Sequence, residues 1–122
     1  TTTDRQTLDT EYQELIAEIA RIASTATFNG VELLDGSTTA LDIQAGINQT
    51  ETITVSLQES STTALALGTL DITTVANATA ALAAIDTAVD AVTTARGALG
   101  SAQNRLQSAI SSITNAQENL AA

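Results

Sequence analysis

The side chains of this sequence that could do chemistry are carboxylates and four arginines, Arg5, Arg21, Arg96 and Arg105; histidine, cysteine and lysine do not occur. General acid–base catalysis near neutral pH, thiol chemistry and Schiff-base formation draw mostly on the missing types. An enzymatic reading therefore loses its usual reagents. Acid pairs remain. Asp86 and Asp90 stand four positions apart, on one face of any helix drawn through them. There they repel modestly, or receive a cation or a basic partner; a solvated helix face accounts for them more simply. Glu14, Glu18 and Arg21 have the spacing of an outer helix surface, with Glu18 placed to pair with Arg21. No HExxH, EF-hand, P-loop or GxSxG pattern is present. The expectation is a non-enzyme with no metal and no cofactor.

Charge narrows the partners. A net charge of −10 opposes the phosphate tracking of nucleic-acid binders, which needs clustered cations, and opposes docking on anionic membranes. No uninterrupted apolar run reaches the roughly 18 residues of a bilayer span, so none is expected. No signal peptide is visible, because Thr1 is followed by neither a basic nor an apolar region. The lack of cysteine fits a reducing cytosol or a protein exported without disulfides. A length of 122 residues suits one domain. Its apolar residues are almost all Ala, Leu, Ile and Val, with Tyr12 and Phe28 the only aromatics, a composition for thin helical packing rather than a deep pocket.

These residues must be carried by two helices and a hairpin. From about 4 to 26, Leu8, Tyr12, Leu15, Ile19, Ile22 and Ala26 recur at alternating intervals of three and four, the stripe of an amphipathic helix. Thr3 and Gln6 have capping-box spacing before it. Residues 29–36 read as turns, punctuated by Asn29-Gly30 and Asp35-Gly36. Leu41, Ile43 and Ala45, then Ile53, Val55 and Leu57, alternate with polar residues and predict a β-hairpin over about 40–58. A Ser/Thr-rich connector follows over 59–74, anchored by Leu65, Leu67, Leu70 and Ile72, with room for a further short strand. A long helix then runs over about 75–121, where positions 82, 85, 89, 92, 96, 99, 103, 106, 110, 113, 117 and 120 form an unbroken heptad seam.

That seam contains Arg96 and Gln103 where aliphatics are usual, and Gly97 and Gly100 lie beside it. The two glycines cost about 2 kcal/mol relative to Ala, less than the aliphatics of the seam return at about 1.5 to 3 kcal/mol each. The helix is expected to continue through them, thinned enough to admit a neighbouring backbone. The first helix is too short to cover the long seam. An aliphatic row left uncovered is a binding surface for another helix or another subunit, with Arg96, Gln103, Asn104 and Arg105 as register residues.

In order along the chain, "TDRQTLDTEYQELIAEIARIASTATFNGVELLDG", "LDIQAGINQTETITVSL" and "ALAAIDTAVDAVTTARGALGSAQNRLQSAISSITNAQENLAA" resemble bacterial flagellin. The hairpin departs from the usual Val-Gly-Ala, with "QAG" at Gln44 to Gly46, whereas "ARGALGSAQNRL" is a specific match. The resemblance implies a mainly α, rod-like helical bundle beside a β-hairpin, a single D1-like core domain over 1–122. It implies a structural filament subunit that self-associates, is exported by the flagellar type III route and lies outside the cell, with an export chaperone and the cap protein as further partners. It also implies flanking segments before and after this stretch, including an N-terminal helix that covers the seam, and an absence of variable outer domains. Asn48-Gln49-Thr50 and Asn77-Ala78-Thr79 match the glycosylation acceptor pattern, a chance match in a bacterial protein. Glu11 corresponds by its distance from "FNG" to an acidic residue recognised by Toll-like receptor 5 in some flagellins; without the upstream recognition helix, weak or no receptor binding is expected, and an ordinary exposed acid is the simpler reading. The alternatives are a hook-filament junction protein, or a surface rod acting as an adhesin or immune-receptor ligand.

Overall fold

The computed structural model describes residues 1–121. Helix α1 spans Thr2–Thr25; short strands β1 (Thr27–Phe28) and β2 (Val31–Glu32) follow; β3 (Ala40–Gln44) and β4 (Thr52–Ser56) form the hairpin; and α2 runs over Val75–Ala121. The mainly helical class with a small hairpin is the one the periodicities imply.

Helix α1 starts where its amides find an acceptor. The Thr1 side-chain oxygen accepts the Asp4 N–H and the Asp4 carboxylate reaches back to the Thr1 backbone, a reciprocal capping box. The box thus uses Thr1 and Asp4, correcting the expected Thr3 and Gln6, because the helix already includes residue 2. It ends at Ala26, whose extended backbone feeds β1. Asn29 (φ 50°) and Gly30 (φ 75°) take left-handed conformations, which closes a two-residue turn between β1 and β2, paired Phe28 to Val31. Two-residue strands are too short to show any alternation, so the sequence reveals only their turn.

In the main hairpin Leu41 pairs with Val55 and Ile43 with Ile53. The alternation puts Ile53 inside, where it is buried, and β4 lies against α2. At the tip the Gln44 side-chain amide donates to the carbonyls of Gly46 and Asn48, and Glu51 accepts the Asn48 N–H.

The two helices run parallel. Arg5 and Leu8 share a groove with Ala78, Ala81 and Leu82; Tyr12 meets Ile85; and Ile16 lies in one buried cluster with Ala88 and Leu67. Parallel helices need a long return path, and residues 26–74 provide it. The connector contains turns and no strand. It lays Leu65, Leu67 and Leu70 against the helix pair and is tied to α1 where Asp9 accepts the Ile72 N–H and Gln13 donates to the Leu70 carbonyl. At 24 and 47 residues, α1 is about 36 Å long and α2 about 70 Å. Beyond the hairpin the last turns of α2 project uncovered, and residues 110–121 are all exposed.

Candidate functional site

The packed faces of both helices differ from the seams expected, and the difference creates the surface of interest. On α1 the inward residues are Tyr12, Ile16, Ile19 and Ala23, with Ile16 and Ala23 buried. Tyr12 and Ile19 belong to the expected stripe, but Leu8, Leu15 and Ile22 do not turn inward; Leu15 is 66% exposed. On α2 the buried residues are Ala81, Ala88 and Ala102, with Ala84, Ala91 and Ala95 half-buried between them. The expected aliphatic seam lies beside this face and outside it: Leu82, Val89, Val92, Leu99, Ile110, Ile113 and Leu120 are exposed, while Ile85 and Leu106 are half-buried. Alanine occupies the face of α2 on which Ile16 of α1, Leu67 of the connector and strand β4 pack, and a small side chain there leaves room for the larger aliphatics that face it.

The result is an open apolar groove between the helices. One stretch, of about 340 Å³, is lined by Leu8, Tyr12, Ile72, Leu82 and Ile85, with Arg5 at its edge. It continues past Leu15, Ile19, Leu65 and Val89. The Tyr12 hydroxyl is buried with no hydrogen-bond partner; its loss of water, with Asp9 nearby, raises its pKa. A third apolar recess lies farther along α2 between Leu34, Leu57, Val92 and Leu99, with Arg96 on its rim.

Apart from Glu11 on α1, the sequence-predicted site residues lie on α2 at and beyond this recess. Arg96, Gln103, Asn104 and Arg105 are exposed. A Cβ added to Gly97 or Gly100 would meet nothing within 4 Å. Among the described residues nothing fills the side-chain position of either glycine, so the close approach expected there is not made at that position within one molecule. Asp86 and Asp90 are exposed on α2, and Glu11 and Glu14 on α1. Glu18 pairs with Arg21 at 2.6 Å, and the guanidinium beside it lowers the Glu18 pKa. Among the described residues, no group of three or more His, Cys, Asp or Glu side chains could hold a metal ion.

By length and composition α2 is apolar enough to cross a membrane: an 18-residue window has mean hydropathy 1.3 and is 11% buried. The apolar residues of α2 do not form an uninterrupted run, because Thr79, Asp86, Thr87 and Asp90 break them up. Those polar groups recur on one side, which makes α2 amphipathic, the pattern of a helix that packs along one face.

A parallel helix pair with an alanine-packed interior, a hairpin on the longer helix and an aliphatic row facing outward defines a helical packing module. Residues 1–39 match the bacterial flagellin N-terminal helical region and residues 82–122 the bacterial flagellin C-terminal helical region. The flagellin of Halalkalibacterium halodurans is 40% identical over 121 residues, 98% of this chain and 44% of that protein. Putative flagellin YvzB of Bacillus subtilis is 39% identical over 111 residues, 88% of this chain and 69% of that protein. The flagellar filament 30.7 kDa core protein of Treponema maltophilum is 32% identical over 134 residues, covering 98% and 47%. The chain belongs to the bacterial flagellin family. It spans less than half the length of the first and third of these relatives.

The sequence contained a signal for the face that was missed. Ala81, Ala84, Ala88, Ala91, Ala95 and Ala102 follow helical spacing, but a count restricted to large aliphatics passes over them.

Proposed function

We propose that this chain is the helical core of a structural subunit of the bacterial flagellar filament, self-associating through its helices to serve motility. The observation that carries the reading is the exposed row along the groove, Leu8, Leu15 and Ile22 on α1 with Leu82 and Val89 on α2. Leu8, Leu15 and Ile22 are spaced by seven, as are Leu82 and Val89, the period of a surface built to receive a further helix. Burying such side chains returns about 1.5 to 3 kcal/mol each, which makes occupation of the groove strongly favourable. An upstream helix of the same subunit is the occupant this reading assigns to it, and neighbouring subunits contact the remaining α2 surface around Arg96, Gly97, Gly100, Gln103, Asn104 and Arg105. A single D1-like domain, secretion through the flagellar export route, an extracellular place in the flagellum, and an export chaperone and cap protein as partners belong to the same proposal. So does recognition of the full-length protein by Toll-like receptor 5 through a surface that includes Glu11, with weak or no receptor binding by this stretch without the upstream recognition helix. No feature of the surface favours the junction-protein or adhesin readings over this one.

The test is seeded polymerisation of the full-length protein followed by light scattering, beside a variant carrying Leu15→Glu and Leu82→Glu. The native protein should extend flagellar seeds and the variant should not, with helix content unchanged. A native protein that forms only a defined dimer and leaves seeds unextended would reject the filament reading in favour of the junction protein.

A further inference from the structure

The chain separates its charges along its length. Helix α1 carries Asp4, Asp9, Glu11, Glu14 and Glu18 against Arg5 and Arg21, whereas α2 between residues 91 and 117 carries Arg96 and Arg105 and no acid. Glu11 and Glu14 are exposed, and the described ion pairs, Thr1 with Asp4 and Glu18 with Arg21, include neither of them and neither α2 arginine. The hairpin acids are occupied locally: Asp42 accepts from Thr54, and Glu51 from Asn48.

The α1 acids cannot reach the α2 arginine at position 105 within one molecule. Tyr12 packs at the level of Ile85 and Ile16 at the level of Ala88, so Glu14 sits beside the turn of α2 around residue 87. Arg105 lies 18 positions farther along the same helix, about 27 Å away along its axis. Arg96 and Arg105 are nine positions apart and project to opposite sides of the helix, since nine residues make about two and a half turns. Arg96 faces the rim of the apolar recess beside Leu57 and Leu99. Arg105, exposed on α2, is therefore the cation presented to another molecule in the second half of that helix.

We propose that Arg105 pairs with Glu14 of a second copy of this chain, displaced by about 27 Å along the rod axis, with Glu11 one turn away adding to the acidic field. The inference rests on the filament reading and names the contact that sets the stagger between neighbouring subunits. Two features favour a second copy over other partners. In a chain of net charge −10, like-charge repulsion opposes association, and placing the isolated cation of α2 on the acidic side of α1 is the alignment that relieves it. The contact is also heterologous: each copy presents Arg105 to one neighbour and Glu14 to another, so it propagates without closing.

Charge exchange tests the pairing in the full-length protein. Arg105→Glu and Glu14→Arg should each raise the critical concentration for seeded growth by about three- to tenfold, as loss and reversal of a solvent-exposed pair imply. The double exchange should return it to within about twofold of native. In a parallel experiment, filaments grown from a mixture of Glu14→Cys and Arg105→Cys subunits should form disulfide-linked heterodimers on oxidation, a readout that needs no charge and no other thiol in the chain. Single variants that assemble like the native protein, a double exchange no better than the worse single, or a lack of linked heterodimers would each overturn the pairing. If the native protein itself leaves seeds unextended, the filament reading fails and the pairing with it; native growth with unaffected variants rejects the pairing alone.

Discussion

The carboxylate of Asp9 accepts the backbone N–H of Ile72 at 2.8 Å, joining the first helix to the chain 63 residues later. One helical turn on, the Gln13 side chain donates to the Leu70 carbonyl at the same distance. Together they hold the end of the return path and so set where α2 begins. Asp9→Ala leaves the Ile72 amide without its acceptor and should lower stability by about 1 to 3 kcal/mol, read from urea unfolding. Asp9→Asn keeps an oxygen acceptor and should lose less; equal losses would mean that the carboxylate charge, not the hydrogen bond, holds the connector.

Leu67 is 4% exposed at the centre of the cluster formed with Ile16 and Ala88. Leu67→Ala should cost about 2 to 5 kcal/mol. Leu120, 88% exposed near the end of α2, should change the stability of the isolated chain by less than about 0.5 kcal/mol on the same substitution. Thermal unfolding of the two variants side by side checks the contrast.

Gly97 has open space where a side chain would go and lies inside a continuous helix. Gly97→Ala should stabilise the isolated chain by about 1 kcal/mol. If a neighbouring subunit approaches the α2 backbone at this point, the same substitution should impair seeded growth while raising the melting temperature. Improved stability with unchanged growth would show that nothing packs there in the assembly.

Asp71 accepts from the Thr73 amide and hydroxyl and from the Asn77 side chain just before and within the first turn of α2. Those hydrogen bonds, Asn77 foremost, hold its pKa below the ordinary value of 3.8. A lowered pKa in the folded state means that the stabilisation is complete above the unfolded value and is lost as pH falls through the folded one. Unfolding followed from pH 6 down to pH 2 should show Asp71→Asn destabilised at the upper end and converging on the native protein at the lower end. Parallel curves would show that Asp71 contributes nothing through its charge.

The period-two alternation around Ile43 and Ile53, the seven-residue repeat through Ile85, Val92 and Leu99, and the Asn29-Gly30 turn were legible along the chain because each is a local pattern fixed by backbone geometry. The sequence by itself thus determined two amphipathic helices, a hairpin and the flagellin resemblance. Which edge of each apolar arc faces inward was decided only by the tertiary structure. Leu15 and Ile16 are adjacent, and either can serve a helix whose apolar arc is wide; the fold buries Ile16 because the parallel α2 and the returning connector converge on that side. Ala88 rather than Val89 joins Ile16 and Leu67 in the buried cluster for the same reason, and Val89 stays 56% exposed. The exposed row of Leu8, Leu15, Ile22, Leu82 and Val89 follows from that choice. Periodicity counts apolar residues around a helix, but only the neighbouring segments select which of them are removed from water.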